Sequence, residues 1–130
     1  MIAPDAIEAL AGRYELAADQ LVASTQRAAT SVASTSWTCA RATRTRARAE
    51  DASARGRAVA TEMRDLAASL RQLAARRRAE IEAILQLEAQ VLALLQASTG
   101  AAPGWGGALP PSGDPRWRDV ARDLGIGGAT

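Results

Sequence analysis

Six arginines, Arg41, Arg44, Arg46, Arg48, Arg55 and Arg57, crowd the stretch "CARATRTRARAEDASARGR". Clustered guanidinium groups are what neutralise phosphates, so nucleic-acid binding is the first chemistry to weigh. Four features count against it. The positions are spread around a helix, Glu50 and Asp51 interrupt them, no aromatic residue is interleaved for stacking, and an acidic first helix is expected to lie alongside. A solvated helix face, or a surface for an acidic partner, is the expectation, and nucleic acid is not expected as a partner. Other chemistry is thinly provided for. The chain has no His, hence no imidazole base and no histidine metal ligand. Its single Cys39 cannot form an internal disulfide or, by itself, a zinc site. It reads as a small filler beside a turn in preference to a redox thiol or an intermolecular disulfide. The Asp and Glu residues are scattered at helix-surface spacing, and no glycine-rich phosphate loop follows a strand. The sequence therefore implies a non-enzymatic protein with no catalytic residue, no metal, no cofactor and no small-molecule substrate.

The elements that carry these residues read as helices throughout. All sixteen basic residues are Arg, Phe is absent, and only three Trp and one Tyr supply large aromatics among 130 residues. Ala provides much of the apolar content, and Ala has the best helix propensity and lets helices approach closely. From 5 to 36, Ile7, Leu10, Tyr14, Ala17, Leu21, Ser24 or Thr25, Ala28 and Val32 recur at spacings of three and four, with Asp5 and Glu8 in the first turn and Pro4 just outside. From 40 to 97 there is no Pro and a single Gly56. There Ala42, Ala49, Ala52, Gly56, Val59, Met63, Leu66, Leu70 and Leu73 continue a heptad-like seam. Folding the chain antiparallel about 37 and 38 sets Thr25 opposite Ala52, Tyr14 opposite Met63 and Leu10 opposite Leu66. It also lays a segment of net charge −2 (5 to 36) along one of +7 (41 to 78). The fold class implied is all-α: an antiparallel helical hairpin, bent near 37–39, with a long second helix, part of a helical bundle or coiled-coil dimer. One continuous helix through "ASTSWTCA" remains the alternative, since that stretch holds no Gly or Pro.

At about 1.5 Å per residue the helices measure ~48 and ~87 Å, so the second overhangs the first by roughly 39 Å. The overhang, "IEAILQLEAQVLALLQAS", is apolar around most of its circumference. Ile81, Ile84, Leu87, Val91, Leu94 and Leu95 are therefore expected to bind a partner, a helical chain in a homodimer or heterodimer. Residues 1–98 form the hairpin on this reading, and 99–130 a Gly/Pro-rich tail. The tail carries a short helix near 114–124, with Asp114 at its N-cap, Pro115 in its first turn and Gly125 at its stop. Trp105 either docks this connector or is exposed with Trp117 on a flexible tail. No apolar run approaches membrane-spanning length, and "MIAPDAIEAL" lacks the features of a signal peptide, so a leaderless chain made in the cytoplasm is expected.

With the hairpin laid out, Trp37-Thr38-Cys39 resembles the Trp-X-Gly bend of the WXG family of type VII secretion substrates, the early-secreted-antigen-like helical hairpins. The resemblance runs from about Asp5 to Leu73: an amphipathic helix, Trp at the bend, then small and basic residues followed by an acidic one. It implies a leaderless protein that forms a homo- or heterodimeric four-helix bundle, pairs with a helical partner or toxin, and is secreted by a type VII system. Cys39 stands where the family has Gly, and a left-handed conformation costs a non-Gly residue about 1 kcal/mol or more, so a different local bend is expected. The family's Tyr-x-x-x-Asp/Glu export motif is not matched: Tyr14 lies in the first helix, and Ala121 stands four residues after Trp117. A freestanding coiled-coil structural protein and an Arg-rich nucleic-acid binder are the alternatives.

Overall fold

The computed structural model describes residues 3–36, 38–97 and 107–127. These form three helices, α1 (Pro4–Ala33), α2 (Ala40–Ala97) and α3 (Trp117–Asp123), with no strand among the described residues. The fold is an all-helical hairpin in which the long α2 packs against α1. Two compact units are present, Met1–Ala75 and Arg76–Thr130, and the division falls inside α2. The sequence reading drew its boundary at 98/99. The difference arises because the tail shares a core with the C-terminal part of α2.

The helix is broken at the bend, so the continuous-helix alternative is excluded. α1 stops where hydroxyl side chains compete for its last carbonyls. Ser34 Oγ donates to the Ser31 carbonyl at 2.9 Å and Thr35 Oγ1 to that of Val32 at 2.8 Å. Arg46 Nη2 donates to the Thr35 carbonyl at 2.6 Å and ties the start of α2 back to the end of α1. Cys39 receives the first bond of α2 on its carbonyl, from the Thr43 amide at 3.1 Å, and is exposed. No non-glycine residue described has a positive φ, so Cys39 escapes the penalty of the left-handed region by a different bend. Trp37, expected at this bend, lies outside the described residues. At the other end Pro4 occupies the first turn of α1, where a missing amide costs nothing.

The seam of the hairpin corrects the sequence reading. Buried on α1 are Ile7, Ala11 and Ala18, and on α2 Ala42, Ser53, Gly56, Ala60, Ala67 and Ala74. Ser53, Ala60, Ala67 and Ala74 are a strict heptad row, with Gly56, Met63 and Leu70 beside it. Ala11, Ala18, Thr25 and Val32 repeat the row on α1, flanked by Ile7, Tyr14 and Leu21. The expected Tyr14, Leu21, Met63 and Leu70 are half-buried in this seam. Leu10, Val59, Leu66 and Leu73 are not in it and stay 38% to 44% exposed.

Small residues win the centre because they let the two backbones approach, which adds dispersion contacts along the whole seam. The approach is close at Gly56. A Cβ there would stand 2.8 Å from Thr25 Cγ2 and 3.3 Å from Thr25 Cβ. Thr25 turns its hydroxyl onto the Leu21 carbonyl, 2.9 Å away. Thr25 thus faces Gly56 instead of Ala52, one helical turn further along α2 than expected.

This contact yields a prediction with a defined sign. Gly56→Ala gains roughly 0.5–1 kcal/mol of helix propensity, but the new methyl meets a β-branched side chain that cannot swing aside. We expect net destabilisation of about 1–2 kcal/mol in urea unfolding, since overpacking typically costs 1–3. Adding Thr25→Ala should reverse it. A stabilised single variant would show that the helices are farther apart.

Candidate protein–protein interface

The hairpin seam has two flanks of opposite chemistry. One residue after Gly56, Met63 and Leu70 come Arg57, Arg64 and Arg71, and one residue after Ile7 and Tyr14 come Glu8 and Glu15. In an antiparallel pair these positions meet across one side of the seam. Arg71 forms a two-pronged pair with Glu15, Nη1 to Oε1 and Nη2 to Oε2, the second at 3.0 Å. Arg64 Nη2 meets Asp19 Oδ1 at 2.8 Å. The hydrogen bonds and charge of Glu15, with the charge of Glu8 behind them, hold the Arg71 guanidinium above its usual range. Exposed pairs of this kind contribute little each, but they fix which side of the hairpin is closed. Arg57 serves the seam differently, donating to the buried Ser53 hydroxyl at 3.1 Å.

The other flank is apolar and open. Val59, Leu66 and Leu73 each precede a buried alanine of α2, and Leu10 precedes Ala11 of α1. Together with the half-buried Met63 and Leu70, α2 presents three adjacent apolar rows, of which α1 covers two. Such a stripe is the pattern of a helix with more than one helical neighbour.

The second unit holds the residues that the sequence assigned to a partner. Ile84 and Val91 are buried by Trp117, Val120 and Ala121 of α3, with Leu87, Leu92, Leu95, Leu124 and Ile126 packed against them. The expectation that this face is bare is corrected: the chain's own tail covers its centre. Of the remaining predicted contacts, Ile81 is half-buried and Leu94 is exposed, as is the neighbouring Leu85. The cover is anchored by polar bonds. Trp117 Nε1 donates to the Pro111 carbonyl at 2.8 Å. Glu88 accepts from Ser112 Oγ and from the Gly113 amide, both at 3.0 Å.

α3 begins two residues later than expected. The Asp114 carboxylate accepts from the Arg116 amide at 2.9 Å and from its guanidinium, making a tight turn before the helix. These bonds lower the Asp114 carboxyl below its ordinary value. Gly125 closes the helix as expected. At φ +73° it allows the Ile126 amide to reach the Ala121 carbonyl at 2.8 Å, a paired-bond stop that brings Ile126 back over the core. Trp105 lies outside the described residues.

Among the described residues no group of three His, Cys, Asp or Glu side chains is placed to hold a metal ion, and no helix is long and apolar enough to cross a membrane. Comparison with family models, curated proteins and solved structures finds no match to this chain.

Two measurements test this geometry. Trp117→Ala should cost the second unit about 3–5 kcal/mol, the usual penalty for emptying a buried aromatic site, read as loss of amide-exchange protection in α3. Protection confined to fraying levels in the wild type would contradict it. Asp114 has a lowered folded pKa, so its contribution is present above the carboxylate's ordinary value and is lost as pH falls through the folded one. Protection of the 114 and 116–118 amides, taken relative to intrinsic exchange at the same pH, should fall on acidification below about pH 4, and Asp114→Asn should remove that dependence.

Proposed function

We propose that this protein is a non-enzymatic helical interaction protein whose open apolar flank pairs with another helical chain. The observation that carries the reading is the row Val59, Leu66 and Leu73 with Leu10 beside it, each about two-fifths exposed along a seam otherwise closed. A hairpin with one ionic and one aliphatic flank is asymmetric in what it can bury. A second hairpin laid on the aliphatic flank would complete a four-helix bundle, with Tyr14, Met63 and Leu70 at its centre.

The resemblance of Trp37-Thr38-Cys39 and its flanking helices to the WXG family gives the proposal its biological setting. The partner is then a helical protein or toxin of a type VII secretion system, or a second copy of the chain, and the protein travels with it or escorts it. On this reading the partner-binding surface lies on the hairpin, and Ile84 and Val91 become available to a partner only when α3 leaves them.

Sedimentation of the purified chain, alone and with helical proteins co-purified from its host, tests the proposal. Replacing Leu10, Leu66 and Leu73 by Asp should abolish association and leave the helical circular dichroism intact, because these side chains lie outside the intramolecular seam. Association that survives the triple variant, or that is lost instead with Leu85→Asp/Leu94→Asp, would place the interface elsewhere.

A further inference from the structure

The bend end of the hairpin carries a surface of a different kind. Residues 24–49 contain Arg27, Arg41, Arg44, Arg46 and Arg48 and not one Asp or Glu. The acids of α1 stand at 5, 8, 15 and 19, in its N-terminal two-thirds, and antiparallel packing delivers Asp19 to Arg64 and Glu15 to Arg71, far from the bend. The shielding of the arginine run by an acidic first helix, expected from net charge, therefore does not occur. Nor are the arginines evenly scattered. Arg46 turns to the Thr35 carbonyl, whereas Arg41, Arg44 and Arg48, at spacings of three and four, share one exposed face and line an open cleft with Thr45. No ion pair joins these three to an acid among the described residues. The first acids met along α2 are Glu50, on the opposite side of the helix from Arg41, and Asp51, one turn beyond Arg48. The first turn of α2 also lacks the acidic residue that would suit its positive end.

The kind of partner follows from what is missing as much as from the charge. Among the described residues of 24–49 the only large aliphatic side chain is Val32, and it is half-buried. Among the described residues this surface therefore offers a partner more charge than apolar area. Exposed pairs of Arg with carboxylates yield little, whereas a phosphate backbone releases condensed counterions for each charge neutralised.

We infer that the bend end, through Arg41, Arg44 and Arg48, is a sequence-independent binding surface for the phosphate backbone of nucleic acid. It is separate from the aliphatic flank and does not depend on the pairing proposed above.

The test is a salt titration of the full chain against a labelled random-sequence DNA duplex. With three phosphates neutralised, the slope of log Kobs against log salt should lie near −2.7, an affinity loss of about 40-fold between 50 and 200 mM salt. Arg41→Gln/Arg44→Gln/Arg48→Gln should bring the slope close to zero. Thr45→Asp, which keeps all three arginines and places an acid among them, should reduce it by about one unit. The control Arg13→Gln/Arg76→Gln/Arg118→Gln, which removes the same charge from exposed positions elsewhere, should leave it unchanged. The inference is overturned if no binding is detected at 50 mM salt, or if the two triple variants behave alike. It is also overturned if poly-glutamate or anionic lipid vesicles bind as tightly as the duplex.

Discussion

The first unit rests on a seam whose centre is held by small residues, Ala11 and Ala18 on α1 and Ser53, Gly56, Ala60, Ala67 and Ala74 on α2, with Thr25 close over Gly56. Everything else in the hairpin follows from which residues occupy that centre. Once Ala60, Ala67 and Ala74 are turned inward, the residues one step to either side are committed. Arg57, Arg64 and Arg71 fall on one flank, where Arg64 meets Asp19 and Arg71 meets Glu15, and Val59, Leu66 and Leu73 fall on the other, with Leu10 across from them. The division into an ionic and an aliphatic side is thus a consequence of a seam made of small residues. A seam of leucines would have buried the aliphatic row and left no surface for a partner.

The second unit obeys a different rule with the same repeat. The positions that carry Ala60, Ala67 and Ala74 in the hairpin carry Ile81, Glu88 and Leu95 further along α2, and those of Gly56, Met63 and Leu70 carry Ile84 and Val91. Large side chains hold a facing helix at a distance, and they are met by a bulky counterpart, Trp117 with Val120. Glu88, the polar residue in this run, is satisfied by the Ser112 hydroxyl and the Gly113 amide. A seven-residue helix has little intrinsic stability, so α3 persists through this packing and its glycine stop.

Much of this was legible in the residues. The two long helices, their ends near 40 and 97, the break near the bend and the Gly125 stop follow from periodicity, hydroxyl-rich turns and glycine placement. The seam was not. Val59, Met63, Leu66, Leu70 and Leu73 have spacings of four and three, and so do Ala60, Met63, Ala67, Leu70 and Ala74. Periodicity fits both, and hydropathy favours the wrong one. The choice depends on how near two backbones can come, and the row of arginines beside Met63 and Leu70 was the available signal. The cover over Ile84 and Val91 was missed for another reason. The tail has few large apolar residues, and its docking joins their packing to hydrogen bonds that hydropathy does not show, from Ser112 and Gly113 to Glu88 and from Trp117 to Pro111. The acid-free bend does not show in the net charge of whole helices, because the acids of α1 lie toward its other end.

The register of the seam is the claim on which the two flanks depend, and a cross-link measures it directly. With Cys39 replaced by Ser, the pair Thr25→Cys/Gly56→Cys sets two Cβ atoms about as close as a disulfide requires, 3.3 Å in the structure against a usual ~3.5–4.5 Å. It should oxidise readily within the monomer, while Thr25→Cys/Ala52→Cys, a helical turn away, should not. Rapid closure of the 25–52 pair with the 25–56 pair left reduced would contradict the account, because it would shift α1 by a turn and dissolve the separation of ionic from aliphatic flank.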